Sequence, residues 1–344
     1  MKVLVTGSNG YIGTQLVQVL DKRGFDVVGL DTGFYRDGQL YDGITPPKKV
    51  VNKDVRQVTK EDLAGFDAVV HLAELSNDPL GQINSKVTYE INHQGSVNLA
   101  KKAKLAGIPR FIYMSSCSAY GIAKDGVATE ESEVHPQTDY AKCKVLTEIG
   151  VSKLADGDFS PVFLRSATVF GASSKMRFDI VLNNLAGLAW TEKEIKMHSD
   201  GSSYRPLIHI LDLCQAIATI LTAPKNLVHN QIINIGDDKQ NYQVKDIAQI
   251  ISEVFKDCQI KFGDSDSDTR SYKVSFKKIN SKLPGFKCQK SARDGAEELL
   301  ELFKKINLDK DTFYSKNFTR LKQIEHLIKS KQIDEKFFWR KNDF

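Results

Sequence analysis

Short runs of β-branched and aliphatic residues recur along the first half of the chain, and stretches with helical spacing of apolar residues separate most of them. Each run is four to seven residues long, which is typical of strands buried on both faces. The runs lie near residues 2–6, 26–31, 49–52, 67–73, 110–115 and 161–165. Strands that alternate with helices form right-handed βαβ units. The pattern therefore predicts an α/β fold, with a doubly wound parallel sheet covered by helices on both faces.

The pattern changes after Gly171, where polar loops interrupt shorter elements. We expect residues 1–171 to form the sheet domain and residues 172–290 to form mainly a smaller C-terminal lobe. One later apolar run, at residues 231–235, is expected to return to the sheet. Residues 291–344, rich in Lys, Leu and Phe, are expected to form a helical extension on the outside.

The composition is ordinary for a soluble protein that buries a full core. Of 344 residues, 41% are hydrophobic and 26% are charged, and the formal net charge is only +5. Basic residues are scattered, so no nucleic-acid partner is expected, and no apolar run approaches the ~18 residues that a membrane span needs. The five cysteines are widely spaced, with no Cys-x-x-Cys pair, and no leader peptide is expected before the first strand. These features predict reduced thiols and a cytoplasmic location.

The first strand leads into a glycine-rich turn, and a helical pattern follows the turn. The turn contains Gly7, Asn9, Gly10, Tyr11, Ile12 and Gly13. Gly7 permits a tight turn, Gly10 lets the backbone approach a pyrophosphate, and Gly13 lets the helix pack closely on the strand. The helix N terminus offers N–H groups and a positive dipole end to phosphates. The turn therefore predicts a Rossmann-type dinucleotide site.

The second strand ends in Asp31, 18 residues after Gly13. A carboxylate in this place accepts hydrogen bonds from the adenosine ribose hydroxyls and repels a 2′-phosphate. Thr32 follows, where an NADP site would favour Arg. The predicted cofactor is therefore NAD.

Two further strand ends supply candidate cofactor contacts. Asp54 and Val55 follow the third strand and are expected beside the adenine. Leu72 and Ala73 end the fourth strand, where a small residue lets backbone lie along the cofactor. His71 precedes them without a Cys or carboxylate at metal-ligand spacing, so we interpret it as structural and expect no metal site.

Tyr140 and Lys144 are the strongest chemical signal when they are taken with Ser116, which lies 24 positions before Tyr140. A tyrosine hydroxyl with a pKa of ~10 is a poor base at neutral pH. A lysine one helical turn away favours the phenolate and is expected to lower that pKa. The three residues are therefore candidate catalytic groups beside a nicotinamide.

In this order, the motifs resemble the extended short-chain dehydrogenases/reductases of the NAD-dependent nucleotide-sugar epimerase/dehydratase family, over roughly residues 1–290. The resemblance implies NAD as cofactor, a nucleotide-diphosphate sugar as substrate, and a substrate-binding role for the C-terminal lobe. It adds Asn92 as an active-site asparagine near the cofactor. It also implies that Asn183, Arg205 and Arg270 bind the nucleotide diphosphate.

The resemblance also implies a homodimer, in which the helices over residues 92–104 and 140–154 pair with their copies across a two-fold axis. Candidate seam residues are Val97, Ala100, Leu105, Val145, Ile149 and Leu154. Packing of the same residues against their own sheet is the alternative.

The residues after Ser116 bear on the reaction. Dehydratases of this family carry an Asp-Glu pair where this chain has Cys117 and Ser118, so an epimerase acting at carbon 4 is favoured. Cys117 is interpreted as a packed residue, because it lies one position from the place of a catalytic cysteine in 3,5-epimerases. Thr168 stands at a predicted sugar contact where many epimerases have Asn. The alternatives are a nucleotide-sugar dehydrogenase, a 4-ketosugar reductase, and a cofactor-sensing protein without turnover.

Overall fold

The computed structural model describes residues 1–44, 46–263 and 271–340. The predicted diphosphate ligand Arg270 lies outside these residues, as does the acidic stretch at 264–268.

The described strands are β1 (Lys2–Thr6), β2 (Asp26–Asp31), β3 (Lys49–Asn52), β4 (Ala68–His71), β5 (Arg110–Ser116), β6 (Ile122–Ala128), β7 (Ser160–Ser166), β8 (Thr168–Phe170), β9 (Glu194–Lys196), β10 (Tyr204–His209), β11 (Gln231–Ile235), β12 (Asn241–Gln243), β13 (Gln259–Lys261) and β14 (Ser271–Val274). The described α-helices are α1 (Tyr11–Lys22), α2 (Asp78–Gln82), α3 (Ser85–Thr88), α4 (Ser96–Leu105), α5 (Asp139–Ser152), α6 (Val181–Thr191), α7 (Ile210–Thr222), α8 (Lys225–Val228), α9 (Val244–Phe255), α10 (Lys277–Lys282), α11 (Ala292–Ile306), α12 (Lys310–Tyr314) and α13 (Arg320–Lys329).

A parallel sheet forms the centre of the protein, in the order β11-β7-β5-β4-β1-β2-β3 over the described residues. Successive residues of β1 enter different cores. Val3 and Val5 pack with α1 and α7 on one face, whereas Leu4 packs with α4 on the other. Burial on both faces explains the nearly continuous apolar runs. The predicted α/β doubly wound fold is confirmed, and β11 is the strand expected near 231–235.

Smaller sheets combine strands from beyond Gly171 with β6 and β8, which precede it. β10 pairs with β8 and β12, β9 pairs with β13, and β14 pairs with β6. Helices α6, α9 and α11 pack against one another beside them. Helix α12 packs against α6, and the described chain after α12 returns to the side of the sheet that holds β2 and β3, through contacts described below. In the described part of the chain, no helix has both the length and the apolar character needed to cross a membrane.

Candidate active site

A cleft of about 880 Å³ opens at the carboxyl ends of the central strands, where ligands bind in open α/β sheets. Its volume is in the upper part of the ~300–1,000 Å³ range of ligand pockets. Most predicted site residues line it: Gly7, Gly10, Tyr11, Ile12, Gly13, Asp31, Asp54, Val55, Leu72, Ala73, Ser116, Tyr140, Lys144, Thr168 and Arg205. The fold therefore brings residues that are far apart in the sequence into one cavity.

The glycine turn connects β1 to α1 in a form that other residues do not fit. Gly7 has a φ of 72°, in the left-handed region. A Cβ on Gly13 would lie 2.1 Å from the Gly7 carbonyl oxygen, so α1 contacts the turn at backbone distance. Gly10, the N-cap of α1, makes no side-chain cap hydrogen bond, which keeps the first N–H groups of the helix open to an anion. The turn fits the pyrophosphate of a dinucleotide.

Asp31 is buried at the end of β2, at the adenosine side of the turn. Its carboxylate accepts hydrogen bonds from the backbone N–H groups of Asn9 (3.0 Å) and Gly33 (2.8 Å). Asn9 does not line the cleft; its backbone N–H helps to position the Asp31 carboxylate. Burial raises the pKa of Asp31, and the two N–H donors and Arg320 oppose the increase. The carboxylate is thus held in place by two backbone donors.

Asp54 also lines the cleft, but its carboxylate is engaged by Arg56. The Nη2 atom of Arg56 lies 2.7 Å from Asp54 Oδ2, and the backbone N–H of Arg56 donates to Oδ1 at 2.8 Å. The Asp54 side chain caps the short helical turn that carries Val55. The sequence prediction placed Asp54 at the adenine without anticipating Arg56.

The three candidate catalytic residues meet where β5 ends and α5 begins. Thr138 caps α5 by accepting a hydrogen bond from the Ala141 N–H at 3.2 Å. Tyr140 and Lys144 lie one turn apart, with Lys144 Nζ 5.3 Å from the centre of the Tyr140 ring. Ser116 closes β5, and its hydroxyl accepts hydrogen bonds from the N–H (3.1 Å) and the hydroxyl (2.9 Å) of Ser118.

The pKa of Tyr140 differs in direction from the sequence prediction. Burial raises this pKa, and the charges of Glu74 and Asp78 raise it further. The positive charge of Lys144 and a hydrogen bond with Ser116 act in the opposite direction, but the net shift is upward. The expected downward shift was wrong, because the sequence argument considered Lys144 without its neighbours.

Glu74 is a site residue that the sequence analysis missed. Its Oε2 atom lies 2.5 Å from Lys144 Nζ, and its Oε1 atom accepts a hydrogen bond from the Tyr113 hydroxyl at 2.7 Å. The side chains of Glu74 and Lys144 are only 3% and 5% exposed. Burial alone would lower the pKa of Lys144, but Glu74 and Tyr140 raise it above its ordinary value. The position of Glu74, just after the end of β4 and next to Ala73, was the feature of the sequence that could have identified it.

Arg177 and Asp179 are a second pair that the sequence analysis missed. Arg177 Nε and Nη2 donate to the two oxygens of Asp179 at 2.9 and 3.1 Å. Asn77 Nδ2 donates to Asp179 Oδ2 at 2.8 Å, and Arg177 Nη1 donates to Ser76 Oγ at 3.2 Å. Both members of the pair line the cleft, so a fixed guanidinium faces the cavity between the glycine turn and Tyr140.

Two predicted contacts lie behind the cleft wall. Asn92 sits in a π-helical segment, Tyr89–Gly95, where it accepts from the Leu75 N–H at 2.9 Å and donates to the Leu75 carbonyl at 3.0 Å. Asn183 donates to the Tyr11 hydroxyl and accepts from the Gly171 N–H, both at 3.1 Å. Both side chains are fully buried. Neither asparagine lines the cleft. Their side-chain amides instead hold the backbone of loops that do.

The structural interpretations of His71 and Cys117 are confirmed. His71 bonds to the Thr6 hydroxyl (2.7 Å) and the Ser96 hydroxyl (2.8 Å), and burial lowers its pKa to about 3. Cys117 is 1% exposed, and its thiol contacts the Arg165 carbonyl at 3.3 Å. Burial raises the pKa of this thiol well above its ordinary value.

Comparisons with known proteins identify the family of the chain. The model of the NAD dependent epimerase/dehydratase family matches residues 3–236. The chain is 25% identical to the low-salt glycan biosynthesis protein Agl12 of Haloferax volcanii, over 88% of this chain and 98% of that protein. It is 26% identical to a UDP-glucose 4-epimerase of Corynebacterium glutamicum, over 74% and 80% of the two chains. The structure of DesIV, a dTDP-glucose 4,6-dehydratase from Streptomyces venezuelae with NAD and TYD bound, shares the fold. Its TM-score is 0.78 at 23% identity, covering 89% of this chain and 97% of that one.

Proposed function

Because the chain belongs to the NAD-dependent epimerase/dehydratase family, with NAD as its cofactor, we propose that it is a nucleotide-sugar 4-epimerase that keeps NAD tightly bound. The relatives carry out more than one reaction, since their names include epimerases, dehydratases and a decarboxylase. The observation that favours epimerisation is the environment of Ser116. Cys117 is buried away from the cleft, and Ser118 donates to Ser116. Neither residue supplies the acid or the base that loss of water needs.

The reaction begins with proton removal. The Tyr140 phenolate takes the proton of the 4-hydroxyl group, the bond between carbon 4 and its hydrogen breaks, and a 4-ketosugar forms. NAD, when bound, would supply the hydride acceptor. Ser116 aligns the reacting oxygen, and the positive charge of Lys144 stabilises the Tyr140 phenolate. Return of the hydride to the opposite face of the ketosugar, with the proton from Tyr140, gives the epimer with no net oxidation.

We assign substrate binding to the end of the cleft that β8 and β10 form. Thr168 on β8 and Arg205 on β10 line it, and Arg205 lies 5.9 Å from the Tyr272 ring. A guanidinium that binds the diphosphate would hold the nucleotide in place while the sugar ring rotates in the cleft. Arg270 is proposed as a second diphosphate ligand. Residues 172–290 would thus form the substrate-binding lobe of a cytoplasmic enzyme.

The proposal is tested with UDP-, GDP-, CDP- and dTDP-sugars, followed by NMR without added cofactor. A substrate deuterated at carbon 4 should give an epimer that keeps its deuterium, and no NADH should accumulate. Tyr140→Phe is the matched control, because it removes only the hydroxyl and should lower turnover at least ~100-fold. Stoichiometric NADH with a ketosugar product would establish a dehydrogenase instead, and loss of water would establish a dehydratase.

A further inference from the structure

Residues 315–340, which we call the C-terminal strap, lie beyond the part of the chain that the family model matches, yet Thr319, Arg320 and Leu321 of this segment line the cleft. The strap holds the loop at residues 32–36, which directly follows Asp31. Trp339 Nε1 donates to the Thr32 carbonyl at 2.6 Å, and Gln323 Nε2 donates to the Phe34 carbonyl at 3.1 Å. The rings of Phe34 and Trp339 are 6.0 Å apart. The loop that follows the ribose acceptor is therefore fixed by side chains about 290 to 310 residues later in the chain.

The strap also reaches the corner that carries Asp54 and Val55. Arg56 Nη1 donates to the Lys336 carbonyl at 2.8 Å, and the Arg56 guanidinium lies 3.7 Å from the centre of the Phe338 ring. The same guanidinium pairs with Asp54. The two strand ends assigned to the adenosine are thus joined by one distant segment.

Arg320, the first residue of α13, places a charge in the cleft itself. It is 2% exposed, its guanidinium lies 4.0 Å from the Tyr35 ring, and Nη2 donates to the Lys175 carbonyl at 3.1 Å. Burial and the neighbouring Arg177 lower its pKa to about 10, so it remains a cation at neutral pH. A buried cation that faces a second cation is stabilised by an anion in the same cavity.

The charges around Arg320 are of both signs. Lys175 and Arg177 are its cationic neighbours, and Asp31 and Asp179 are its anionic neighbours. Arg320 and Arg177 line the cleft together with Asp31 and Asp179, on the wall that also contains the glycine turn. We propose that the strap, through Arg320, is part of the cofactor site and slows the departure of NAD. The inference rests on the proposed function in one respect, because a redox-neutral epimerase needs a cofactor that stays bound.

The test measures NAD and needs no substrate, so its outcome is independent of the epimerase assay. Full-length Arg320→Met and Trp339→Ala proteins are purified, their bound nucleotide is counted by chromatography, and NAD dissociation is followed in a chase with labelled NAD. Arg320→Met should release NAD at least about tenfold faster, because a buried charge-assisted contact is lost. Arg320→Lys should restore part of the retention. Lys329→Ala, an exposed change on α13, should match the wild type.

Thermal unfolding of the NAD-free proteins separates cofactor retention from a purely structural role. A variant that unfolds at lower temperature but releases NAD at the wild-type rate would overturn the proposal. Trp339→Phe keeps the aromatic ring and removes the hydrogen bond to Thr32, so it provides a folded variant if Trp339→Ala is unstable. It should accelerate NAD release by a smaller factor than Trp339→Ala, and an unchanged rate in both Trp339→Phe and Arg320→Met would also overturn the proposal.

Discussion

At the scale of single residues, the proton affinity of Tyr140 reflects a balance between charges of opposite sign. Lys144 favours the phenolate, whereas burial, Glu74 and Asp78 favour the protonated phenol. Glu74 acts twice, because it faces Tyr140 and also pairs with Lys144 at 2.5 Å. The remaining polar neighbours of Glu74 are the Tyr113 and Ser96 hydroxyls. The Glu74 carboxylate therefore weakens the influence of Lys144 on Tyr140.

Glu74→Gln should move the pH–rate profile toward lower pH. A base acts when it is deprotonated, so activity rises as the pH increases through the pKa of Tyr140. Loss of the negative charge lowers that pKa, and the rising limb of kcat/KM should shift to lower pH. Asp78→Asn should act in the same direction, and Glu133→Gln, whose side chain is 84% exposed, should leave the profile unchanged. A limb that moves to higher pH would show that Glu74 does not act on Tyr140 in this way.

Asp31→Ala tests cofactor choice at the same scale. The variant loses a ribose acceptor and a charge that repels a 2′-phosphate, so NAD should bind at least ~10-fold more weakly. The preference for NAD over NADP should narrow as well. Equilibrium dissociation constants for both cofactors provide the measurement, and Asp37→Ala, an exposed carboxylate, is the control. If the ratio of the two constants stayed at the wild-type value, discrimination would have to lie elsewhere in the cleft.

At the scale of elements, local sequence determined those features that depend on neighbouring residues. The strand at 2–6, the glycine turn and the four-residue spacing of Tyr140 and Lys144 are local patterns, and the structure forms each of them. Glu74, Arg177 and Arg320 belong to loops or to the beginning of a late helix, and only the tertiary fold brings them into the cleft. Asn92 shows the same limit, because its amide serves a backbone loop 17 residues away in the sequence.

The contact between β1 and α1 predicts the effect of a single methyl group. Gly13→Ala would place a Cβ 2.1 Å from the Gly7 carbonyl oxygen, so α1 must move away from the turn. Overpacking of this kind costs ~1–3 kcal/mol, and the displaced N–H groups should bind NAD more weakly. Gly157→Ala meets no atom within 4 Å and is the control. Denaturant unfolding and NAD titration check the two effects, and a Gly13→Ala protein with wild-type values of both would contradict the close contact.

At the scale of the whole molecule, the solvent face of α5 supports the expected dimer. Of the predicted seam residues, Ile149 is 50% exposed, and Leu105 at the end of α4 is 68% exposed. Leu146, which was not among the predicted residues, lies one turn from Ile149 and is 37% exposed. Other predicted seam residues pack inside the subunit: Ala100 is fully buried, and Val97 lies against Gly150. Packing within the subunit therefore accounts for Ala100 and Val97, whereas the seam stays a prediction for Ile149 and Leu105.

The exposed residues determine the final prediction. We expect the protein to be a dimer at micromolar concentration by light scattering, because pairing α4 and α5 with their copies would cover Leu146 and Ile149. Ile149→Glu should produce a monomer, since a charge would be buried without a partner at the seam. Lys329→Glu changes an exposed residue of α13 and should leave the dimer intact. If the wild-type protein were a monomer under these conditions, the predicted dimer would be wrong. The exposed side chains of α5 would then simply face solvent.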